Sequence, residues 1–197
     1  MLTQSLKNEK MKEFNPEDIA RIFHVKAELF QTLKTKIAEF PTDCQFLFFG
    51  GILSGGAVAS VWHDEQPKDL DIYLTSESDI RDFKRRVIDD KLFSSHVKDV
   101  NPKYKQGEVE GKLVTANAVT FKNNIQVITL LTKQKRIEFD YIHCMPYLDY
   151  NANTFFISKA QVESIKTKTL YPNPKGKIAE FRRQKFLNRG WKEYNAN

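Results

Sequence analysis

Asp69 and Asp71 stand two residues apart in Lys68-Asp69-Leu70-Asp71-Ile72-Tyr73-Leu74, a stretch in which acids and apolar residues alternate. On a β-strand this period puts both carboxylates on one face and turns Leu70, Ile72 and Leu74 into a core. Two carboxylates side by side are costly unless a cation sits between them. Magnesium suits such a pair, because it takes hard oxygen ligands and keeps waters that substrate phosphates can replace. Two such ions about 3.5–4 Å apart hold both the attacking and the leaving oxygen of an in-line displacement. The chemistry these residues suggest is metal-assisted phosphoryl or nucleotidyl transfer, with magnesium or manganese as the ion.

The other half of such a site lies just upstream. Ser54-Gly55-Gly56 precedes a short apolar helix from Ala57 to Trp62, and Gly56 stands thirteen positions before Asp69. Lacking a Cβ, Gly55 and Gly56 let the backbone approach a polyphosphate, and the amides at the start of the helix point at it. Ser54 caps that helix or donates its hydroxyl to a phosphate. A Gly-Gly pair alone is usually a turn and Asp-x-Asp alone a solvated edge, so the weight rests on their order in one strand-turn-helix-strand unit.

The segments 53–60, 68–73, 139–144 and 189–192 resemble the nucleotidyltransferase superfamily typified by DNA polymerase beta. They are most similar to a group of bacteriophage-encoded nucleotidyltransferases, over about residues 45–192. The resemblance implies two magnesium ions held by Asp69 and Asp71, with a third carboxylate on a later strand. It points to Asp140 in Phe139-Asp140, with Glu138 as the alternative. Ser54, Gly55 and Gly56 then seat a nucleoside triphosphate. The implied function is transfer of a nucleoside monophosphate to a hydroxyl acceptor, RNA or tRNA among the candidates, with release of pyrophosphate in a bacterial host cytoplasm. Two rival readings accompany it: a non-catalytic nucleotide- or RNA-binding module on a degenerate transferase fold, and a toxin-like enzyme modifying a host tRNA or protein.

These side chains need a scaffold, and the pattern predicts an α/β (α+β) protein with a small mixed sheet flanked by helices. Residues 1–14 form a polar lead, 15–160 a catalytic domain and 161–197 a basic helical extension. Asn15-Pro16 starts a helix reaching about Phe40, with Asn15 as N-cap and an apolar stripe of Ile19, Ile22, Phe23, Val25, Leu29, Phe30, Leu33, Ile37 and Phe40. Phe46–Phe49 reads as a buried strand, and Ser76 opens a helix that turns Ile80, Phe83, Val87 and Ile88 inward and Arg85-Arg86 outward. Phe93, Val97 and Val100 suggest a short strand. Residues 112–121 and 125–131 form a hairpin across Lys122-Asn123-Asn124. Residues 136–140 alternate as a strand that puts Glu138 and Asp140 on its polar face. His143-Cys144 reads as a buried polar pair in the sheet, 147–153 as a turn, 154–157 as a strand, and Ser158 as a helix start.

Composition bounds the remainder. With 41% hydrophobic and 28% charged residues the chain is of ordinary globular composition, and no run reaches the roughly 18–20 apolar residues that span a bilayer. Two cysteines, Cys44 and Cys144, predict reduced thiols rather than a disulfide framework, and four scattered histidines give no zinc spacing. Between Lys175 and Lys192, seven basic residues face the single acid Glu180, so this segment alone accounts for the formal net charge of +6. After Pro172-Asn173-Pro174 it reads as a basic helix, Lys175 to Asn188, packing Ile178, Phe181, Phe186 and Leu187 on the core. Its Arg182 and Lys185 are the expected phosphate contacts.

Overall fold

The computed structural model describes residues 14–98, 117–129 and 139–195. Helix α1 (Pro16–Ile37) begins where the sequence predicts: Asn15 accepts the Asp18 amide hydrogen through its side chain, and proline occupies the first turn. The helix ends three residues before Phe40, in a turn that delivers the chain to Pro41. Ile22, Val25, Leu29, Leu33 and Ile37 are buried, at the spacing of one helical face, whereas Phe23, expected in the same stripe, stands about 100° round the helix from Ile22 and is 59% exposed.

The aromatic run that follows is not a strand. Thr42–Phe48 forms a 3-10 helix, and strand β1 is Gly51–Ser54, three to five residues later. Burial explains the difference. Cys44, Leu47 and Phe48 face inward while Phe46 is 57% exposed, a period of three to four that a strand buried on both faces cannot produce. Inside, Phe40, Phe48, Phe83, Phe93 and Phe121 form a cluster with ring centroids 4.7–6.4 Å apart. It ties this turn to α3 (Glu77–Asp89), α4 (Lys91–Ser95) and the end of strand β3 (Ala118–Thr120). On α3, Phe83 and Val87 are buried as expected, but Ile88, one step round from Val87, is 67% exposed. Helix α4 stands where a short strand was expected; Val97 contributes only an isolated bridge to Phe121.

Strand β1, helix α2 (Ala57–Trp62) and strand β2 (Leu70–Leu74) follow the expected strand-turn-helix-strand order. With β4 (Ile125–Ile128), β5 (Tyr147–Asp149) and β6 (Thr154–Phe156), they build a mixed six-stranded sheet in the order β3-β4-β2-β1-β5-β6. Within this sheet, among the described residues, β2 and β4 pair in parallel and the other neighbours antiparallel. The expected hairpin is present as β3 and β4 across residues 122–124. Tyr147 to Asp149, expected in a turn, instead pairs with β1: Ser54 opposes Tyr147 on one side and Asp71 on the other.

Residues 136–138 of the predicted acid-bearing strand, including Glu138, lie outside the described residues. Phe139 and Asp140 themselves are not in a strand, and His143-Cys144 belongs to a 3-10 turn (Ile142–Cys144) rather than to the sheet. Both side chains are nevertheless buried, and both cysteines are free thiols.

Helix α5 (Lys159–Lys166) starts with a capping box between Ser158 and Gln161, and strand β7 (Thr169–Leu170) pairs in parallel with β8 (Lys192–Glu193). Between β7 and β8 runs helix α6 (Glu180–Leu187), shorter than the predicted Lys175–Asn188. Phe186 and Trp191 are buried in the core, but Ile178 and Phe181, expected to pack there, are exposed; Phe181 is 73% exposed. Residues 174–176 form a turn and 177–179 carry no regular structure, so Ile178 precedes the helix and is not carried on its apolar face. No helix among the described residues is long and apolar enough to cross a membrane.

Candidate functional site

Leu70, Ile72 and Leu74 are buried in the core, which leaves Asp71 and Tyr73 on the opposite face of β2. That face is covered. Phe139 packs edge-on against the Tyr73 ring with centroids 5.7 Å apart, and Arg182 of α6 reaches the same region. Asp71 is partly buried as a result, while Asp69, one residue before the strand, is exposed.

Electrostatics reflect that enclosure. Burial, and then the neighbouring Asp69 carboxylate, push the Asp71 carboxyl up to about 6, against the opposing pull of Arg182 and Lys185. Lys185 is itself held below the ordinary lysine range, first by burial and then by Arg182 and Arg189, with Asp69 and Asp71 acting the other way. Asp69 just before β2, Asp71 within it and two cations from α6 therefore share one field, although more than a hundred residues separate the acids from the cations in the chain.

Gly55 closes the floor. Its φ of +98° is a conformation L side chains rarely adopt, and a Cβ there would lie 2.9 Å from the Asp71 Oδ2. Its amide donates to the Cys144 carbonyl at 3.0 Å. Gly56 is exposed with open space around it, at the entry to α2. Ser54 faces elsewhere: fully buried, its hydroxyl is directed at the carbonyls of Cys144 (3.1 Å) and Pro146 (2.9 Å). It therefore neither caps α2 nor presents to a phosphate; it binds β1 to the 142–146 segment.

Asp140 is 6% exposed and already engaged. Arg182 donates from Nε to Oδ2 at 2.8 Å and from Nη2 to Oδ1 at 3.2 Å, and the Tyr141 amide donates to Oδ1 at 3.1 Å. Ligand atoms of Asp69, Asp71 and Asp140 do not gather within 4.8 Å of one another; among the described residues the set that does is Asp43, Cys44 and Asp90. Arg86 bridges that set, pairing with both Asp43 and Asp90.

Beneath α6 lies an aromatic clamp with no counterpart among the motifs of the sequence. The His143 ring lies 3.9 Å from the Trp191 ring and 4.6 Å, edge to face, from that of Phe186, with Tyr141 stacked at 5.7 Å. Neither ring nitrogen of His143 has a hydrogen-bond partner, and burial drives its pKa down to about 3. The neighbouring Cys144 thiol is pushed up to about 12 by burial, so it is no nucleophile at neutral pH. The clamp holds α6, and with it Arg182 and Lys185, against the sheet. Its sequence signal was the apolar-aromatic spacing of Phe186 and Trp191 around a Gly190 turn.

Comparison with known proteins corrects the expected family. The family model that matches is that of the Gabija anti-defense 2 family protein, over residues 22–168. This is not a nucleotidyltransferase family, and it overturns both the superfamily assignment and the expected transfer of a nucleoside monophosphate, together with the rival readings built on that fold. None of the curated proteins matches the chain.

Proposed function

The chain belongs to the Gabija anti-defense 2 family, and from that membership we propose that it is a phage protein that counteracts Gabija defence inside the bacterial host. The match carries the reading because it spans three quarters of the chain and takes in α2, β1, β2 and both Asp69 and Asp71. Its partner is accordingly a component of the defence.

Asp69 and Asp71, with Lys185 in their field, are the residues whose arrangement favours chemistry. Keeping a half-enclosed carboxylate beside a second one is unfavourable, as the raised pKa of Asp71 records, and a divalent cation would relieve both burial and repulsion. Asp69 and Asp71 would hold that ion, magnesium or manganese, which when bound supplies Lewis-acid polarisation of a phosphate oxygen. Lys185 stands ready to meet a phosphorylated ligand such as a nucleoside triphosphate, with Gly56 leaving the approach open. Metal-assisted chemistry on such a ligand is the enzyme-type action that fits this arrangement.

The test is plaque formation by a Gabija-sensitive phage on bacteria carrying Gabija and expressing the chain. Wild type restores plaques; an Asp69→Asn, Asp71→Asn double variant of equal abundance loses at least about tenfold of that rescue, the loss expected when one ion's ligands are removed. Absence of rescue by wild type overturns the anti-defence reading. Equal rescue by both proteins keeps that reading and removes the two acids from it.

A further inference from the structure

Two of the bases between Lys175 and Lys192 are spent on acids of the fold. Arg182 holds Asp140, and Arg183 pairs with both Glu180 and Glu193. Lys175, Lys177, Lys185, Arg189 and Lys192 are exposed and form no ion pair among the described residues. Large apolar side chains stand in water between them. Ile178, just before α6, is 43% exposed, and Phe181, in the first turn of the helix, is 73% exposed. Lys175 and Lys177 precede this apolar pair in the chain, and Lys185 lies one turn beyond Phe181 on the same side of the helix. An exposed apolar pair within a charged surround has the composition of a protein interface, whose apolar centre is ringed by polar groups.

Charge selects the occupant. This one segment accounts for the whole formal excess of +6, so it attracts an acidic surface and repels a basic one, a second copy of itself included. The side chains then favour a protein over a nucleic acid. Arginine, whose planar fork suits phosphate, is represented among the uncommitted bases by Arg189 alone, because Arg182 and Arg183 are engaged. Glu180, next to Phe181 and with 73% of its side chain in water, would oppose a backbone that is anionic at every step. Ile178 offers no flat face on which a base can stack, but it can fill an apolar recess. Resting on the anti-defence reading above, we propose that residues 175–189 form the docking surface for an acidic face of a Gabija protein. Ile178 and Phe181 are its apolar anchors, and the lysines steer the approach.

Biolayer interferometry of the full chain against each purified Gabija protein tests the proposal, with a single-stranded DNA oligonucleotide as the competing ligand. Wild type is expected to bind one of the proteins, with an association rate that falls at least about tenfold between roughly 0.05 and 0.5 M salt. Ile178→Ser with Phe181→Ser should raise the dissociation rate at least about tenfold, the effect of removing central anchors. Lys175→Glu with Lys177→Glu should chiefly slow association. All four side chains are exposed, and circular dichroism checks that each variant keeps the fold. Binding indifferent to both variants overturns the proposal. So does tighter binding of the oligonucleotide through the same residues, which assigns the surface to nucleic acid. A wild-type chain that restores plaques yet binds no Gabija protein overturns it and leaves the anti-defence reading standing; failure to restore plaques removes both.

Discussion

Arg182 grips Asp140 with two hydrogen bonds, of 2.8 and 3.2 Å, across 42 residues of sequence. The pair fastens α6 to the loop before the Ile142–Cys144 turn, and the fastening brings Lys185 into the field of Asp69 and Asp71. The two residues the sequence assigned to a metal and to a phosphate are here committed to each other.

Arg182→Ala leaves the Asp140 carboxylate buried without its guanidinium. The expected cost is about 2–3 kcal/mol, on the low side for a severed buried pair because Arg182 keeps 32% of its side chain in water. A guanidinium chloride unfolding curve checks it. The double variant Arg182→Gln, Asp140→Asn should lose less than Arg182→Ala; equal midpoints for wild type and Arg182→Ala show that the pair contributes nothing.

Asp71→Asn is expected to stabilise the fold at neutral pH. The folded-state carboxyl titrates near 6 against an ordinary 3.8, so the folded chain holds its proton more tightly than the unfolded chain between those values. Stability from this group is fully present below pH 3.8 and is lost as pH rises through 6. Asparagine removes that loss, a gain on the order of 2 kcal/mol at pH 7. Thermal melts of the two proteins at pH 5 and pH 7.5 should diverge most at the higher pH. Magnesium should raise the melting temperature of wild type and not of the variant.

His143 titrates in the opposite sense. With its pKa driven from 6.5 to about 3 by burial, Asp140 opposing that shift and Arg182 reinforcing it, its contribution is fully present above pH 6.5 and lost as pH falls toward 3. His143→Phe keeps the stacking on Trp191 and removes two ring nitrogens that have no partner. The variant should be more stable by about 1–2 kcal/mol at pH 7 and more so at pH 5. A parallel loss of stability with acid in both proteins would place the effect elsewhere.

Gly55→Ala meets two obstacles at once, a φ of +98° and the Asp71 Oδ2 at 2.9 Å from the new Cβ. A cost of about 1–3 kcal/mol is expected. Gly56→Ala, at an open position, should cost under about 1 kcal/mol. Chemical denaturation of the pair of variants separates the two glycines, and similar midpoints would show that the strain is relieved by movement.

Local patterns were legible. Asn15, Ser76 and Ser158 marked three helix starts by their capping chemistry, and the period of residues 69–74 put the right side of β2 into the core. The Gly-Gly pair placed α2 to the residue. Phe46–Phe49 misled because four apolar residues in a row carry no period; only the exposure of Phe46 beside the burial of Leu47 and Phe48 reveals a 3-10 turn. Motif resemblance likewise assigned the segments around Asp69 and Asp71 to a family that the comparison overturns.

What the sequence by itself determined is therefore short-range: the caps, the β-α-β order around the acids, the alternation that turns Asp71 away from the core, and the concentration of positive charge after Pro174. The tertiary structure decided what those groups do to one another. It alone turned the Ser54 hydroxyl into the protein, bound Arg182 to Asp140 and enclosed Asp71 enough to raise its pKa. The physical reason is that capping and side-chain alternation act within a few residues. Burial and ion pairing act through space, between segments whose meeting no local spacing encodes.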